Sequence, residues 1–285
     1  MRLGATIGDY LGSEDPDDYI KECQKQGYRA ACCPELDADD FDRAREIKSK
    51  FASADIIIAE VPAWFNALHP DKATRKSNIS KIAKQLALSE ELEAACCGTI
   101  VGSFDDRDKW DSHVGPHPEN FTDDTFDAIV DWVRRVLDDV NPTRTKLTLE
   151  MSPWTLLDGP EIYLDLIKAV DRDGLAVHLD PANAVRDPRT FYSTGTMIDQ
   201  CFDVLGPWIR SCHAKDVDFA LDARTVGIKE VIPGRGVMDY ETYIGRINKL
   251  SDDMPLIIEH LANASEFSEA RGFILGIAEK MGATV

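Results

Sequence analysis

The sequence is short of positive charge. Its 285 residues include 32 lysines and arginines against 51 aspartates and glutamates, which gives a net charge of −19 at pH 7. A protein that binds the nucleic-acid backbone needs a basic patch or stripe, and here acids outnumber bases along nearly the whole chain. The same deficit disfavours an anionic membrane surface. We therefore expect neither nucleic acid nor a membrane as a partner.

A long apolar run and a recognisable leader are also missing. No segment approaches the roughly 20 apolar residues needed to cross a bilayer. Residues 1–19 carry one positive side chain, turn acidic, and show neither an apolar core nor a cleavage signal. The seven cysteines form no CxxC pair, which favours small buried thiols over a disulfide or zinc framework. Together these absences predict a protein of the reducing cytoplasm.

What the sequence does contain is an alternation of short β-type runs with amphipathic segments, the pattern of a parallel α/β fold. The runs are LGATI (3–7), YRAACC (28–33), IIIAEV (56–61), CCGTIV (96–101), KLTLE (146–150), LAVHLD (175–180), IRSCH (209–213) and PLIIE (255–259). Eight runs fit one closed (β/α)8 TIM barrel. No linker, charge block or low-complexity tract divides the chain, so we expect residues 1–285 to form a single domain.

Local signals support the intervening helices and mark two long connections. Thr122 is a candidate N-cap, Asn141-Pro142 is a candidate stop, and Asp239 is a candidate cap of a later helix. The connections 102–120 and 214–236 follow the fourth and seventh runs at their carboxyl ends. Barrel enzymes build their active sites on that face, and long loops there are more often functional than decorative.

Polar residues end the last four strands, although strands of a parallel barrel are otherwise nearly all apolar. These residues are Glu150, Asp180, His213 and Glu259. Side chains alternate along a strand, and the apolar neighbours of the three acids suit the helix side, which turns the acids inward. The same alternation also places His213 on the inward face, but the evidence is weaker for this strand because neither of its faces is purely apolar. Neighbouring strands lie about 4.8 Å apart, so the four tips converge and predict a metal site.

Three carboxylates and one imidazole suit a single divalent ion. Mn²⁺ is the favoured candidate because the set is rich in oxygen, and Mg²⁺, Co²⁺ or Zn²⁺ stay open. The competing interpretation is that barrel rims are polar wherever strands meet solvent. That interpretation explains any one residue, but it explains less well why all four are in phase on successive strands.

Five segments of the chain resemble motifs of the sugar phosphate isomerase/epimerase superfamily, the xylose isomerase-like TIM barrels. They read LTLEMSPW, VHLDPANAV, CHAKDV, EVIPGRGVMDY and PLIIEHL. The group includes D-tagatose and D-psicose 3-epimerases, L-ribulose-5-phosphate 3-epimerases, hydroxypyruvate isomerases and inosose dehydratases, with endonuclease IV as a relative. The resemblance runs along the whole chain, is sharp in its second half, and is specific to the superfamily and not to one substrate.

The resemblance implies that Glu150, Asp180, His213 and Glu259 ligate the metal, and that Glu150 and Glu259 are also the catalytic acid/base pair. It implies an isomerase or epimerase that acts on a ketose, keto-sugar derivative or sugar phosphate through a metal-stabilised enediolate. The chemistry agrees, because a C–H beside a carbonyl is acidic only when the developing oxyanion is stabilised. Two flanking carboxylates then supply the base and the acid.

Four further residues are candidate substrate contacts, each with a simpler alternative. Asn183 stands where the epimerases and the nuclease carry a histidine, which counts against a trinuclear centre; it contacts substrate or caps a helix. Lys215 binds a substrate oxygen or phosphate, or forms a salt bridge at the rim. Arg235 clamps an anion, or orders its own loop through an ion pair. His178 makes a supporting hydrogen bond, or is a satisfied core histidine.

Weaker candidates share only a position near a strand end or the rim. Glu35 and Glu60 compete weakly with the three acids and the imidazole above, and the directions of His113, His117 and Trp64 are not determined by the pattern. The alternation predicts that His260 faces the helices.

Two other enzyme classes and one non-enzyme compete with the isomerase. A lyase of the inosose dehydratase type needs the same metal and the same base. An endonuclease IV-like nuclease is disfavoured by the charge of −19, by Asn183 and by the scarcity of histidine. A catalytically inactive barrel used as a binding module is disfavoured because both carboxylates of the acid/base pair are present. The expected partner is a small carbohydrate, and a homo-oligomer is left open.

Overall fold

The computed structural model describes residues 1–107, 112–223 and 225–285 and contains a closed barrel of eight parallel strands. The barrel strands are β1 (Arg2–Ala5), β2 (Ala30–Cys32), β3 (Ile57–Pro62), β4 (Cys96–Ile100), β5 (Leu147–Glu150), β6 (Leu175–Leu179), β7 (Ile209–Ala214) and β10 (Pro255–Ile258). They pair around the barrel in the order β1-β10-β7-β6-β5-β4-β3-β2, and β2 closes on β1. The predicted (β/α)8 barrel is confirmed. The extent of the domain, 1–285, stays a prediction.

Helices surround this barrel. They are α1 (Gly8–Leu11), α2 (Pro16–Gln26), α3 (Phe41–Ser53), α4 (Lys72–Leu92), α5 (Asp123–Val140), α6 (Pro160–Val170), α7 (Pro188–Phe191), α8 (Thr194–Leu205), α9 (Tyr240–Ile247) and α10 (Ala264–Met281). Short 3₁₀ turns occur at Ser112–Val114, Pro118–Phe121, Pro181–Ala184 and Gly206–Trp208. Among the described residues, no helix is both long and apolar enough to span a membrane.

The predicted helix signals act as expected. The Thr122 side chain accepts a hydrogen bond from the backbone N–H of Thr125 at the start of α5. The helix ends at Asn141, which adopts a left-handed conformation with φ of 49°. Asp239 likewise accepts from the Thr242 N–H, at 3.0 Å, at the start of α9. Side-chain caps thus fix where these helices begin on the barrel surface.

The long connection after β7 folds into an antiparallel hairpin of β8 (Asp216–Phe219) and β9 (Ile228–Val231). Asp216, buried at the base of this hairpin, accepts hydrogen bonds from the backbone N–H groups of Val217, Gly234, Gly236 and Met238. One carboxylate therefore ties both ends of the loop to the barrel mouth. Residues 108–111 and 224 of the two long connections lie outside the described residues.

The core has two parts. The main apolar core packs the strands against the helices and contains the predicted outward residues of β5, β6 and β10, such as Leu149, Val177 and Leu256. A separate cluster of Ala30, Ala59 and Ile257 lies apart from this core, and we assign it to the barrel interior. All seven cysteines are free thiols, and six of them are buried.

Two irregularities in strand register bear on the site. Along β2 and β3, Ala31 pairs with Ile58 but Cys32 pairs with Glu60, so Ala59 is an extra residue, a β-bulge. Along β6 and β7, the register shifts in the same way between Val177 and His178. A bulge resets the alternation of side chains, so residues beyond it need not follow the simple two-residue period.

Candidate metal centre

The four predicted ligands meet at the carboxyl ends of their strands. Glu150 is the last residue of β5, Asp180 and Glu259 directly follow β6 and β10, and His213 lies near the end of β7. Their candidate ligand atoms all lie within 4.8 Å of one another. The His213 Nδ1 atom is 2.6 Å from Glu259 Oε1 and 3.9 Å from Glu150 Oε1. We call these four residues the carboxylate–imidazole cluster.

The donor atoms of this cluster fit a divalent cation. Asp180 Oδ2, His213 Nδ1 and Glu259 Oε1 are buried, and their partners among the described residues are one another and the ammonium of Lys215. Three carboxylates packed this closely repel one another, so the cluster favours a cation at its centre. Three carboxylates and an imidazole are ligands that Mn²⁺, Mg²⁺, Co²⁺ and Zn²⁺ accept. The residues present therefore fit a metal ion.

Lys215 brings a positive charge to the same place. Its side chain is buried, with Nζ 2.7 Å from Glu259 Oε1, 3.0 Å from Asp180 Oδ2 and 3.9 Å from Glu150 Oε1. An ammonium group on a flexible stem satisfies several carboxylates at once and moves easily between them. Lys215 thus offsets part of the repulsion between the three acids.

Burial raises the pKa values of the three acids, whereas the neighbouring positive charges lower them. Burial opposes ionisation of Glu150, but Lys215 and His213 outweigh it and lower the pKa of Glu150 to about 2. The pKa of Glu259 lies well below its usual value despite burial, because His213 and Lys215 stabilise the carboxylate. Burial raises the pKa of Asp180 to about 6, since the attraction of Lys215 does not offset it and the other two carboxylates add repulsion. All three are thus mainly ionised at neutral pH.

The pKa of His213 is set by the same two opposing effects. Burial opposes its protonation, but the charges of Glu259 and Glu60 raise the pKa of His213 well above its usual value. A cation that binds Nδ1 has to displace a proton from that atom, so metal binding here competes with acid.

Glu60 is the functional residue that strand alternation misses. Its Oε2 lies 3.2 Å from His213 Nε2, and Ser211 Oγ donates a hydrogen bond to its Oε1 at 2.5 Å. Burial opposes its ionisation, but the imidazoles of His178 and His213 keep the pKa of Glu60 below its usual value. An ionised carboxylate only accepts, so Nε2 carries the hydrogen of this pair. In the neutral ring, the Nδ1 lone pair then faces the carboxylate–imidazole cluster.

The bulge at Ala59 explains why Glu60 points into the barrel. Strict alternation gives Glu60 the same face as Ile58, and Ile58 packs in the main core between strands and helices. The extra residue at Ala59 instead turns Glu60 toward His213. The one available signal is a glutamate inside the otherwise apolar run IIIAEV.

His178 lies beneath the cluster and against the ring of His213. The two ring centroids are 3.9 Å apart, and His178 Nδ1 is 3.6 Å from Glu60 Oε1. Neither ring nitrogen has a hydrogen-bond partner within the described parts of the chain. Burial lowers the pKa of His178, although the charge of Glu60 acts against this. Its place as a substrate contact stays a prediction.

Asn183 touches the cluster directly. It lies in the 3₁₀ turn that follows β6, and its Nδ2 donates a hydrogen bond to Glu150 Oε1 at 2.7 Å. The turn itself is capped by Asp180, whose Oδ1 accepts from the Ala182 N–H at 3.0 Å. Asn183 therefore holds one oxygen of Glu150.

The rim residues are placed less centrally. Arg235 forms a two-point ion pair with Glu269, with nitrogen–oxygen distances of 2.6 and 2.8 Å, which is the loop-ordering alternative. The expectation for His260 is wrong: its φ of 59° breaks the strand alternation, and its Nδ1 lies 2.9 Å from Glu230 Oε2. His117 caps a 3₁₀ turn by accepting from the Glu119 N–H.

Two cavities border Glu259. The larger, of about 610 Å³, opens beside β1, β2 and β3, and we call it the β1–β3 cavity. Glu60, Glu35 and Trp64 also line it. The smaller, of about 260 Å³, lies between the loops that follow β7 and β10, and we call it the β7–β10 cavity. Lys215 and Arg235 line this second cavity.

Fold and geometry together define a class of protein, the parallel (β/α)8 barrel with a candidate divalent-cation centre at its carboxyl-terminal mouth. The family model of the xylose isomerase-like TIM barrel matches residues 20–276. The chain belongs to that family, and the expected resemblance is confirmed. No sequence among the curated proteins matches this chain.

Solved structures with different activities share the fold. D-Psicose 3-epimerase from Clostridium cellulolyticum, solved with D-tagatose, has a TM-score of 0.72 and 15% identity over 100% of both chains. The probable 3-DHS dehydratase AsbF from Bacillus anthracis has a TM-score of 0.71 and 15% identity, over 98% of this chain and 99% of its own. Endonuclease IV from Thermus thermophilus has a TM-score of 0.69 and 15% identity, over 98% of this chain and 100% of its own. At such identities the similarity shows the fold alone.

Proposed function

We propose that the protein is a divalent-metal-dependent isomerase or epimerase that moves a proton beside the carbonyl group of a ketose, keto-sugar derivative or sugar phosphate. The observation that carries this proposal is the placement of Glu150 and Glu259. They lie on β5 and just after β10, on either side of the two strands that present Asp180 and His213. A substrate carbon held between two carboxylates can lose a proton to one and regain a proton from the other.

Glu150, Asp180, His213 and Glu259 are the proposed ligands of the ion, and Mn²⁺ is the proposed metal. The burial and close approach of the four side chains, and their oxygen-rich composition, support this assignment. Such an ion, when bound, supplies a Lewis acid that stabilises negative charge developing on the substrate oxygen.

Contacts within the cluster suggest which oxygens exchange the proton. Asn183 occupies Glu150 Oε1, and Lys215 and His213 both lie against Glu259 Oε1. This leaves Oε2 of each glutamate as the proposed proton-accepting or proton-donating atom. Both carboxylates have a depressed pKa, so they enter the reaction ionised but as weak bases.

Lys215 is proposed to adjust that basicity. Its ammonium lies 3.9 Å from Glu150 and 2.7 Å from Glu259, and it helps to lower the pKa of both. A substrate hydroxyl that accepts a hydrogen bond from Lys215 would draw the ammonium away from the carboxylates and strengthen them as bases. Asn183, His178 and Arg235 remain proposed substrate contacts, and Asn183 is the one that already touches an acid/base residue.

The test is exchange of carbon-bound hydrogen with solvent. The metal-loaded protein is incubated with a panel of ketoses in D2O, and proton NMR follows loss of the signal beside the carbonyl. An isomerase or epimerase replaces that proton by deuterium and yields a new sugar. The dehydratase alternative instead releases water and gives a product with fewer hydroxyl groups.

Two variants decide whether the cluster carries the reaction. Glu150→Gln and Glu259→Gln each remove one proposed acid/base group, and each should lower the exchange rate by at least about a hundredfold. Retained activity in both would exclude the proposed roles. Absence of stoichiometric metal in protein purified without chelators would exclude the metal.

Several coarser expectations stay predictions. They are the cytoplasmic location, the open possibility of a homo-oligomer, and the exclusion of nucleic acid. A shift of abasic DNA in a gel that weakens with added salt would favour the nuclease alternative instead.

A further inference from the structure

The β1–β3 cavity is lined by acids. Among residues 1–107, 112–223 and 225–285, none of its lining side chains is lysine, arginine or histidine. Its carboxyl groups belong to Asp9, Glu14, Glu35, Glu60 and Glu259, and of these only Glu60 and Glu259 lie beside the cations at the cluster, His213 and Lys215. A phosphate or carboxylate group of a ligand would meet Asp9, Glu14 and Glu35 without a cationic side chain in the described lining.

The same cavity suits an uncharged polyol. Carboxylate oxygens accept hydrogen bonds from hydroxyl groups, and several acids together can hold several hydroxyls. Trp64 and Phe65 add aromatic surface to the wall, against which the C–H face of a sugar can pack. At the inner end, Glu259 is more than nine-tenths buried. The cavity therefore leads to one member of the proposed acid/base pair.

The β7–β10 cavity is the obvious alternative place for a phosphate, since it contains cationic side chains. Each of them is already paired with a carboxylate: Lys215 with Glu259 at 2.7 Å, Arg235 with Glu269 at 2.6 and 2.8 Å, and His260 with Glu230 at 2.9 Å. A phosphate bound here would have to displace these carboxylates, and Glu266 adds a further acid to the lining. Neither cavity beside Glu259 thus provides an unengaged cation.

We infer that the substrate is an unphosphorylated, uncharged polyhydroxy ketone whose hydroxyl-bearing chain occupies the β1–β3 cavity. This inference rests on the proposed function and narrows it, because ketoses, their phosphate esters and keto acids would otherwise share the same chemistry at Glu150 and Glu259.

The test uses matched pairs of ketoses in the deuterium-exchange assay. The Mn²⁺-loaded full chain is incubated with D-fructose and D-fructose 6-phosphate, and with D-tagatose and D-tagatose 6-phosphate. We expect kcat/KM for exchange to be at least about tenfold higher for the free ketose of a reactive pair. Equal or faster exchange of the phosphate ester overturns the inference but leaves the proposed function intact.

A binding measurement covers the case in which neither pair reacts, an outcome that counts against the proposed function. Inorganic phosphate is titrated calorimetrically into the metal-loaded protein and into Arg235→Gln. Absence of binding, or binding unchanged in Arg235→Gln, supports the inference because the cations of the β7–β10 cavity then play no part. Stoichiometric binding that is lost in Arg235→Gln overturns it.

A charge-reversal pair tests whether the acids set the selectivity. Glu35→Lys places an ammonium in the lining of the β1–β3 cavity, whereas Glu279→Lys makes the same charge change at an exposed position of α10 that does not line this cavity. We expect Glu35→Lys to raise the ratio of phosphate-ester to free-ketose activity about tenfold. If no ketose reacts, we expect the variant to bind inorganic phosphate about tenfold more tightly than the unmodified chain. An equal shift in both variants, or none in either, overturns the assignment of selectivity to this cavity.

Discussion

Replacing Glu60 with glutamine should weaken metal binding although Glu60 is not one of the four proposed ligands. The buried Glu60 carboxylate lies 3.2 Å from His213 Nε2 and is held from its other side by Ser211. The variant keeps the size of the side chain but removes the negative charge that favours hydrogen on Nε2. The imidazole then loses basicity at Nδ1, and the tautomer with hydrogen on Nδ1 becomes more populated.

The expected loss of metal affinity follows from the contribution that hydrogen-bond partners of metal-binding histidines make in other proteins. Loss of a group that orients a metal-binding histidine typically weakens metal affinity about 10- to 100-fold. That range corresponds to about 1.4–2.7 kcal/mol of binding free energy. We expect the upper part of this range, because Glu60 is only 3% exposed and solvent cannot replace its charge.

The assay is calorimetric titration of Mn²⁺ into metal-free protein at constant pH, with the downfield proton NMR signal of the His213 ring as a second readout. Glu22→Gln is the matched control, because Glu22 is also a buried glutamate but contacts Lys25 and Gln26. An unchanged Kd in correctly folded Glu60→Gln would refute the orienting role. A stoichiometry of two ions per chain that falls to one in the variant would also refute this role, because Glu60 would then be a metal ligand together with His178.

Three further predictions concern other parts of the structure. Asn183→Ala frees Glu150 Oε1 and should lower kcat for exchange about tenfold with a smaller change in KM, as measured by steady-state NMR assays; equal changes in both would indicate a substrate-binding role alone. Asp216→Ala removes the acceptor of four backbone N–H groups and should lower the free energy of unfolding by about 2–4 kcal/mol in urea titrations, whereas an unchanged midpoint would contradict its tethering role. Burial opposes ionisation of Glu90, but hydrogen bonds from Thr143 and the following backbone lower its pKa from 4.5 to about 2. Because the pKa of Glu90 is lower in the folded than in the unfolded protein, its ionised form stabilises the fold at any pH above the unfolded-state pKa. Glu90→Gln should therefore lower the free energy of unfolding by about 1–3 kcal/mol at pH 7. The difference in unfolding free energy between variant and unmodified chain should shrink as the pH falls from 4.5 toward 2. A difference that stays constant over that pH range would refute the assignment.

The fold and the four ligands could be predicted because each depends on a local pattern. Eight apolar runs separated by helical segments leave few architectures other than a barrel. Glu150, Asp180 and Glu259 stand out because their neighbours along the strand are apolar on one face only. Strand pairing then brings together residues that are far apart in sequence, and it does so at a spacing that is common to all parallel sheets.

The remaining site residues depend on features that periodicity does not encode. The inward turn of Glu60 requires a bulge, and the turn of His260 toward Glu230 accompanies a positive φ. The engagement of Arg235 depends on Glu269, which lies on a helix 34 residues later in the chain. A pattern predicts which residues can take part in chemistry, whereas these contacts follow from the folded path of individual loops.

The bulge at Ala59 has a consequence for how this strand tolerates mutation. The side chain at position 59 is a single methyl group in the barrel interior, so a change of its identity mainly affects packing volume. Deletion of that position would place Glu60 directly after Ile58 and still opposite Cys32, so alternation alone would keep its carboxylate turned into the barrel. What the deletion would remove is the methyl group that packs with Ala30 and Ile257. The bulge thus lets two successive residues of β3 face the barrel interior, and relatives that have both this bulge and the glutamate–histidine pair are expected to keep a small residue before the glutamate.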